Sequence, residues 1–185
     1  MIEYDDGTHT YSDNGIVIPG VTSVLSSYYN IDPSRYAYGS AERGREVHER
    51  CARYALNPSG VQMDAQGGYV AAFAQWLFDT GARVLSVEQM AEGMLFGRRY
   101  AGRYDLIVEL GGKTVLVDLK TGSKARHFEA QVAAYSLAMD PPRPARAMIL
   151  YLKKDGDYKP DYLAPAQLLA GCRTFAAALA AWEGN

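Results

Sequence analysis

The feature that most constrains this chain is the pair Gly111-Gly112, set between two runs rich in alternating apolar residues, Tyr104 to Leu110 and Lys113 to Lys120. Adjacent glycines supply the positive φ angles of a two-residue turn, so the runs are predicted to form a tight antiparallel hairpin. Leu110 then faces Lys113, and counting back along both strands sets Asp105 opposite Asp118. Strict alternation puts Leu106, Val108 and Leu110 with Val115, Val117 and Leu119 on one apolar face turned to the core. The other face receives Asp105, Asp118 and Lys120, with Arg103 across from Lys120.

That second face has an electrostatic cost. Two ionised carboxylates opposed across a ladder, with Cβ atoms about 5 Å apart, repel unless something compensates. A divalent cation is the natural compensator, and oxygen ligands suit Mg²⁺ or Mn²⁺, one ion or two. Lys120 beside them would be a point charge for a phosphate, or an aid to an attacking water. The same residues would also suit a plain surface cluster in which each aspartate is solvated. A one-residue slip would send Asp118 and Lys120 to the opposite face.

Elements on either side are readable from turn residues and apolar spacing. Thr8 to Tyr11 and Ile16-Val17-Ile18, joined at Asp13-Asn14-Gly15, read as a small hairpin that Pro19-Gly20 ends. Thr22 or Ser23 can cap a short helix through Tyr29. Pro33-Ser34 opens a longer helical region to about Leu56, with Val47, Cys51, Tyr54 and Ala55 as its stripe, stopped by Asn57-Pro58-Ser59-Gly60. A third helix, roughly Ala65 to Thr80, carries Val70, Phe73, Ala74 and Leu77. Val84 to Met90 and Met94 to Tyr100 read as further strands before the central hairpin. A helix from about Arg126 to Met139, a strand from Ala147 to Lys153 and a last helix from near Pro165 follow it. Leu168, Cys172, Phe175, Leu179 and Trp182 form a core stripe on the last helix. Helices around a central mixed sheet predict an α/β or α+β sandwich.

A length of 185 residues predicts one domain over residues 1–185, and 48% apolar with 22% charged residues is an ordinary globular balance. Net charge is -2, so bulk electrostatics gives no pull towards nucleic acid or an anionic membrane, and any polyanion site must be local. Cys51 and Cys172 have no C-x-x-C spacing, which argues against a disulfide scaffold, zinc ribbon or iron-sulfur cluster and fits a reducing compartment. An acidic start and a longest apolar run of only Phe175 to Trp182 predict no signal peptide, no membrane span and a cytoplasmic location. Gly112-Lys113-Thr114 lacks the first glycine of a phosphate loop, Ile107 standing there, and His48-Glu49 lacks the second histidine of a zinc-protease helix.

Gly102-Arg103-Tyr104-Asp105, then Asp118-Leu119-Lys120-Thr121-Gly122, then Gln131-Val132-Ala133-Ala134-Tyr135, resembles the PD-(D/E)XK nuclease superfamily. The likeness is closest to the branch with the RecB nuclease domain, lambda-type phage exonucleases and the mitochondrial genome maintenance exonuclease. Gly44-Arg45-Glu46-Val47-His48-Glu49 is similar to that branch's Gly-x-x-x-His element, and Ile18 to Leu25 to an opening of its phage members. The resemblance spans about residues 8 to 152. It departs from the nominal motif at Tyr104, which stands for Pro, and at Asp118, which stands for Glu.

The resemblance implies a restriction-endonuclease-like core. It also implies a catalytic set of Glu88, Asp105, Asp118 and Lys120, and metal ligands His48, Asp105, Asp118 and the Leu119 carbonyl. Gln131 and Tyr135 are implied beside the substrate; Arg103 and Arg45, from neighbouring basic clusters, are expected there with them. With two cysteines, the cluster-bearing sub-branch of the family does not fit. The expected activity is a metal-dependent DNA exonuclease of recombination, repair or phage replication, leaving 5′-phosphate and 3′-hydroxyl ends. A structure-specific endonuclease on the same core, or a silent nuclease-like module binding DNA or protein, stays open. DNA is the expected partner; a homo-oligomer or a phage or host recombination protein would suit such an enzyme.

Further groups are weighed more evenly. Arg43, Arg45, Arg50 and Arg53, then Arg98, Arg99 and Arg103, then Lys120, Lys124 and Arg126 would make a positive groove if they converge, or solvated faces if they do not. Tyr28, Tyr29, Tyr36 and Tyr38 could stack on unpaired bases or simply pack.

Overall fold

The computed structural model describes residues 2–5, 10–32, 39–60, 67–139 and 143–183. Strands β1 (Glu3–Asp5), β2 (Thr10–Asp13) and β3 (Ile16–Ile18) form a small antiparallel sheet, with Asn14 and Gly15 at φ 51° and 77° in the expected turn. Helix α1 (Val21–Tyr28) starts one residue before the predicted caps; Gly20 precedes it and no side chain caps it. Helix α2 spans Ser40–Leu56 and α3 spans Gly67–Thr80. The helical start predicted at Pro33-Ser34, with Tyr36 and Tyr38, lies outside the described residues, as do Thr8, His9 and Ala65.

The main sheet has five strands in the order β4 (Arg83–Leu95), β5 (Arg98–Leu110), β6 (Lys113–Lys120), β7 (Arg146–Leu152), β8 (Tyr158–Tyr162). Only the β6–β7 pair is parallel, and helix α4 (His127–Ala138) makes that crossover. Helix α5 (Pro165–Ala180) closes the chain. The segment Met94 to Tyr100, predicted as a strand, instead contains the tip of one long β4–β5 hairpin, turning at Phe96 and Gly97 with φ 52° and 76°. Strands β1 and β8 were not predicted; β8 is an edge strand reading Tyr-Lys-Pro-Asp-Tyr, with no apolar alternation to announce it.

The sheet is covered on both faces. Val47 and Cys51 of α2 and Val70, Phe73 and Trp76 of α3 pack against Leu106, Val108, Val115, Val117, Met148 and Leu150. On the other side Val21, Val24 and Leu25 of α1, Ala130 and Ala134 of α4, and Phe175 and Leu179 of α5 cover Tyr100, Leu116 and Ile149. Strand β6 is therefore buried without a break from Val115 to Leu119, the pattern of a strand covered on both faces. The second face of the hairpin, expected to be largely polar, is core as far as Leu116 and becomes polar only at Asp118. Among the described residues no helix is long and apolar enough to cross a membrane.

Two details of this frame place the site. Strand β5 has thirteen residues and β6 eight, and they pair only from Leu110↔Lys113 to Leu106↔Val117, so the first half of β5 runs on paired with β4 but not with β6. The side of β5 that β6 leaves is taken by the β3–α1 junction: the Ala101 N–H donates to the Pro19 carbonyl at 2.9 Å, and Gly20 bridges Ala101.

Candidate active site

The site lies at the fork where β6 parts from β5. The ladder keeps the predicted register and stops one step short of Asp105 and Asp118. On the β4 side, Val87 pairs with Leu106 and Gln89 with Tyr104, but no pairing crosses the Glu88–Asp105 row, and Glu88 has a φ of 49°. Faces change at this row. Tyr100 and Tyr104 pack with α1, α4 and α5, whereas Leu106 and Val108, of the same parity, pack with α2 and α3. Strict alternation along β5 thus fails, because the left-handed residue and the interrupted ladder twist the strand pair locally.

Released from the ladder, the acids find other partners. Asp105 Oδ2 accepts the Leu119 N–H at 2.6 Å, and Oδ1 lies 3.1 Å from His48 Nδ1, projected by α2 beside buried Val47. His48, Glu88 and Asp105 each offer one ligand atom, all within 4.8 Å of one another. Asp118, 1% exposed, lies next to them with Lys120 Nζ 2.6 Å from its Oδ2, yet neither of its oxygens has a well-formed hydrogen bond. Lys120 Nζ also sits 4.8 Å from the centroid of the Phe128 ring, a cation–π contact that helps hold the ammonium.

Burial sets the electrostatics, and neighbours redistribute it. Burial pushes Asp118 up to about 6, with Lys120 pulling down and Asp105 pushing further up. Burial and Asp105 push Glu88 up to about 7 against the pull of Arg103 and His48. Burial alone would raise Asp105, but His48, Lys120 and the Leu119 N–H hold it below the usual carboxylate range. Burial alone would lower His48, and the Asp105 charge outweighs it, leaving the imidazole above its ordinary value.

The remaining predicted residues divide. Gln131 Nε2 donates to the Tyr135 hydroxyl at 3.0 Å on the expected face of α4. Burial, with the Asp118 charge second, pushes that phenol well above its usual value. Tyr135 is buried against Gly102, where a Cβ would lie 2.5 Å from Tyr135 Cε1, so only glycine lets the ring this close to β5. Arg103 does not face Lys120: the β5–β6 pairing has ended before that row, and Arg103 pairs with Met90 of β4 and binds Glu88 through Nε at 2.9 Å. Arg45 lies exposed on α2, on the turn before His48.

The basic clusters serve structure more than a groove. Arg50 and Arg53 pair with Glu46 and Glu49 one helical turn back. Arg98 donates to the Leu179 and Trp182 carbonyls at the end of α5, and Arg99 binds Asp13 and Glu92. Phe128 was not among the predicted site residues. Its place one α4 turn before Gln131, and beside Lys120, is a tertiary contact that no spacing in the sequence marks.

The donor set fits a divalent metal ion. It has one imidazole, two carboxylates within reach, and a third carboxylate whose buried oxygens have unused acceptor capacity. Hard oxygen ligands with a single nitrogen suit small divalent cations.

The sequence model of the PD-(D/E)XK nuclease superfamily matches residues 25–183. A search of curated proteins finds no match. Among solved structures, the fold is similar to that of a candidate exonuclease from Eubacterium rectale, with TM-score 0.57 at 11% identity over 86% of this chain and 77% of that one. An alkaline exonuclease from Laribacter hongkongensis is also similar, with TM-score 0.44 at 14% identity over 88% of this chain and 86% of that one.

Proposed function

The chain belongs to the PD-(D/E)XK nuclease superfamily, and from that premise we propose that residues 1–185 form one divalent-metal-dependent deoxyribonuclease domain, an exonuclease acting on the ends of linear DNA. One observation carries the reading: buried Asp118, with Oδ1 unpartnered and Oδ2 ion-paired to Lys120 at 2.6 Å, lies beside the His48–Glu88–Asp105 cluster. Three carboxylates crowded in a buried site that Lys120 and Arg103 only partly offset cost stability unless a further cation compensates, and such a cost is characteristic of functional sites. The similar fold of the candidate exonuclease from Eubacterium rectale supports it.

In this reading His48, Glu88, Asp105 and Asp118 hold Mg²⁺ or Mn²⁺, with the Leu119 carbonyl as a further ligand. When bound, the ion supplies positive charge against the phosphodiester and its leaving oxygen. Lys120 donates hydrogen bonds that orient the attacking water, and Asp118 holds that ammonium in place. Water's oxygen forms the new bond to phosphorus while the bond to the 3′ oxygen breaks; a proton reaches that oxygen, giving a 5′-phosphate and a 3′-hydroxyl. Gln131 and Tyr135 line the substrate side, and Arg103 and Arg45 offer charge to the flanking backbone. Contacts of this kind position DNA without reading its bases.

The test is incubation with end-labelled linear and circular DNA in Mn²⁺, Mg²⁺ or chelator. Shortening of linear DNA, with circles intact and no reaction in chelator, is the expected result. Cut circles would replace the exonuclease with an endonuclease on the same core, and no cleavage in either metal would reduce the chain to a binding module.

A further inference from the structure

Helix α1 ends at the corner where α4 begins, because both pack on one apolar cluster through Val21, Val24 and Leu25 on one side and Ala130 and Ala134 on the other. At that corner four rings form a continuous row. Tyr28 meets Tyr29 at 5.5 Å between centroids, Tyr29 meets His127 at 6.0 Å, and His127 meets Phe128 at 4.6 Å. The row ends at the catalytic fork, where Phe128 supports Lys120 at 4.8 Å.

Core packing accounts for only half of these rings. Tyr29 and Phe128 lie against the apolar cluster, whereas His127 is only half-buried between them and Tyr28 is 47% exposed. A phenol ring held in the open at the end of an otherwise buried helix face, edge-on to the first of three further rings in successive contact, leaves a π face open to a flat partner. Arg126, directly before His127, is exposed and its charge favours a polyanion, whereas the nearby Lys124 is already ion-paired to Asp161 and Glu129. Duplex bases already stack on one another and cannot offer their faces, whereas unpaired bases can stack on an aromatic ring.

The geometry points to the Tyr28–Tyr29–His127–Phe128 row as a stacking track for unpaired nucleobases leading to the scissile phosphate, making DNA ends with a single-stranded segment the favoured substrate class. This rests on the nuclease reading of the fork and names its substrate.

The test compares cleavage of a single-stranded oligonucleotide with that of its blunt duplex. Tyr28→Ala and Tyr29→Ala are each expected to lower the single-strand to duplex ratio of kcat/KM by about tenfold, the loss of one stacked base, with Tyr28→Phe and Tyr29→Phe restoring it. An unchanged ratio, or equal losses on both substrates, would overturn the track. Tyr28 is exposed enough that its alanine variant keeps the fold. A second arm needs no turnover: wild-type protein is irradiated with an oligonucleotide carrying 5-iodouracil. Adducts on Tyr28, Tyr29 or His127 support the track, and adducts only elsewhere overturn it. If wild-type protein cleaves nothing in either metal, the nuclease reading fails, and this arm alone decides the track.

Discussion

The two ends of the β5–β6 hairpin differ in almost every physical respect. At the turn end, Gly111 and Gly112 take φ 57° and 71°, and five consecutive cross-strand pairs follow in perfect step. At the fork end the ladder stops, Glu88 on the neighbouring strand is left-handed, and three acids, a histidine and a lysine fill the gap. A regular ladder leaves side chains nothing to do but pack. Where it breaks, side chains must satisfy one another, and here they do so incompletely. That incompleteness makes the fork a site for chemistry and the turn a part of the scaffold.

The largest effect that would test this contrast is on turnover. Asp118→Ala and Lys120→Ala should each lower the rate of linear-DNA cleavage at least about a hundredfold, the loss of one electrostatic element of the transition state. Circular dichroism should show both variants folded, since the turn-end ladder does not depend on them. Cleavage at the wild-type rate by both would detach chemistry from the fork.

Next comes the stretch of β5 that β6 leaves. Gly102→Ala would place a Cβ 2.5 Å from Tyr135 Cε1 and 3.1 Å from Val21 Cγ2, both buried. Overpacking of this kind costs about 1–3 kcal/mol. Denaturant unfolding should show that loss, and turnover should fall with it as Tyr135 and Gln131 are displaced from the fork. A neutral outcome would mean that Tyr135 is free to move and positions nothing.

The fork's charges also predict an unusual pH dependence of the metal-free protein. Asp118 is raised to about 6 and Glu88 to about 7, burial being the first cause of each, and His48 is raised by Asp105 against its burial. All three bind protons more tightly folded than unfolded. Their contribution is therefore present below the unfolded pKa values and lost as pH rises through the folded ones. Asp105, lowered by His48 against its burial, has the opposite sign, but its contribution is lost only at more acid pH. In chelator, Tm should fall by several degrees between pH 5 and pH 8, and Mn²⁺ should restore it at pH 8. A Tm that is flat or rises over this range would show that the acids are not under mutual strain.

The same contrast explains what the sequence made readable. Gly111-Gly112 and Asn14-Gly15 announce their turns because only residues tolerant of positive φ can fill them, and the α5 stripe through Phe175 and Leu179 announces its buried face. Phe96 makes the same left-handed turn with a residue that gives no such notice, so the two long strands of the β4–β5 hairpin read as three shorter ones. Glu88 hides the face switch for the same reason. Because faces change at Glu88 and Asp105, period-two counting puts the acids in the right row but cannot show that Asp105 turns to His48 and the Leu119 N–H rather than meeting Asp118. Phe128 under Lys120, and the pairing of Arg103 with Glu88, are long-range contacts that arise only once α4 and β4 have docked.

The smallest effect belongs to the turn end. At Gly111 and Gly112 a Cβ would meet nothing within 4 Å, so alanine at either position adds no clash and pays only for a left-handed backbone. That cost is about 1–2 kcal/mol, and for a chain of this size about 1 kcal/mol corresponds to roughly 2–4 °C in Tm. Gly112→Ala should lower Tm by that amount while turnover on linear DNA stays within about twofold. Both glycines close the turn some five ladder steps from Asp105, and those steps are fully paired and apolar over the three nearest the fork. If turnover instead fell in proportion to stability, the ladder would be transmitting strain to the fork, and the hairpin would have to be treated as one mechanical unit rather than a scaffold end and a chemical end.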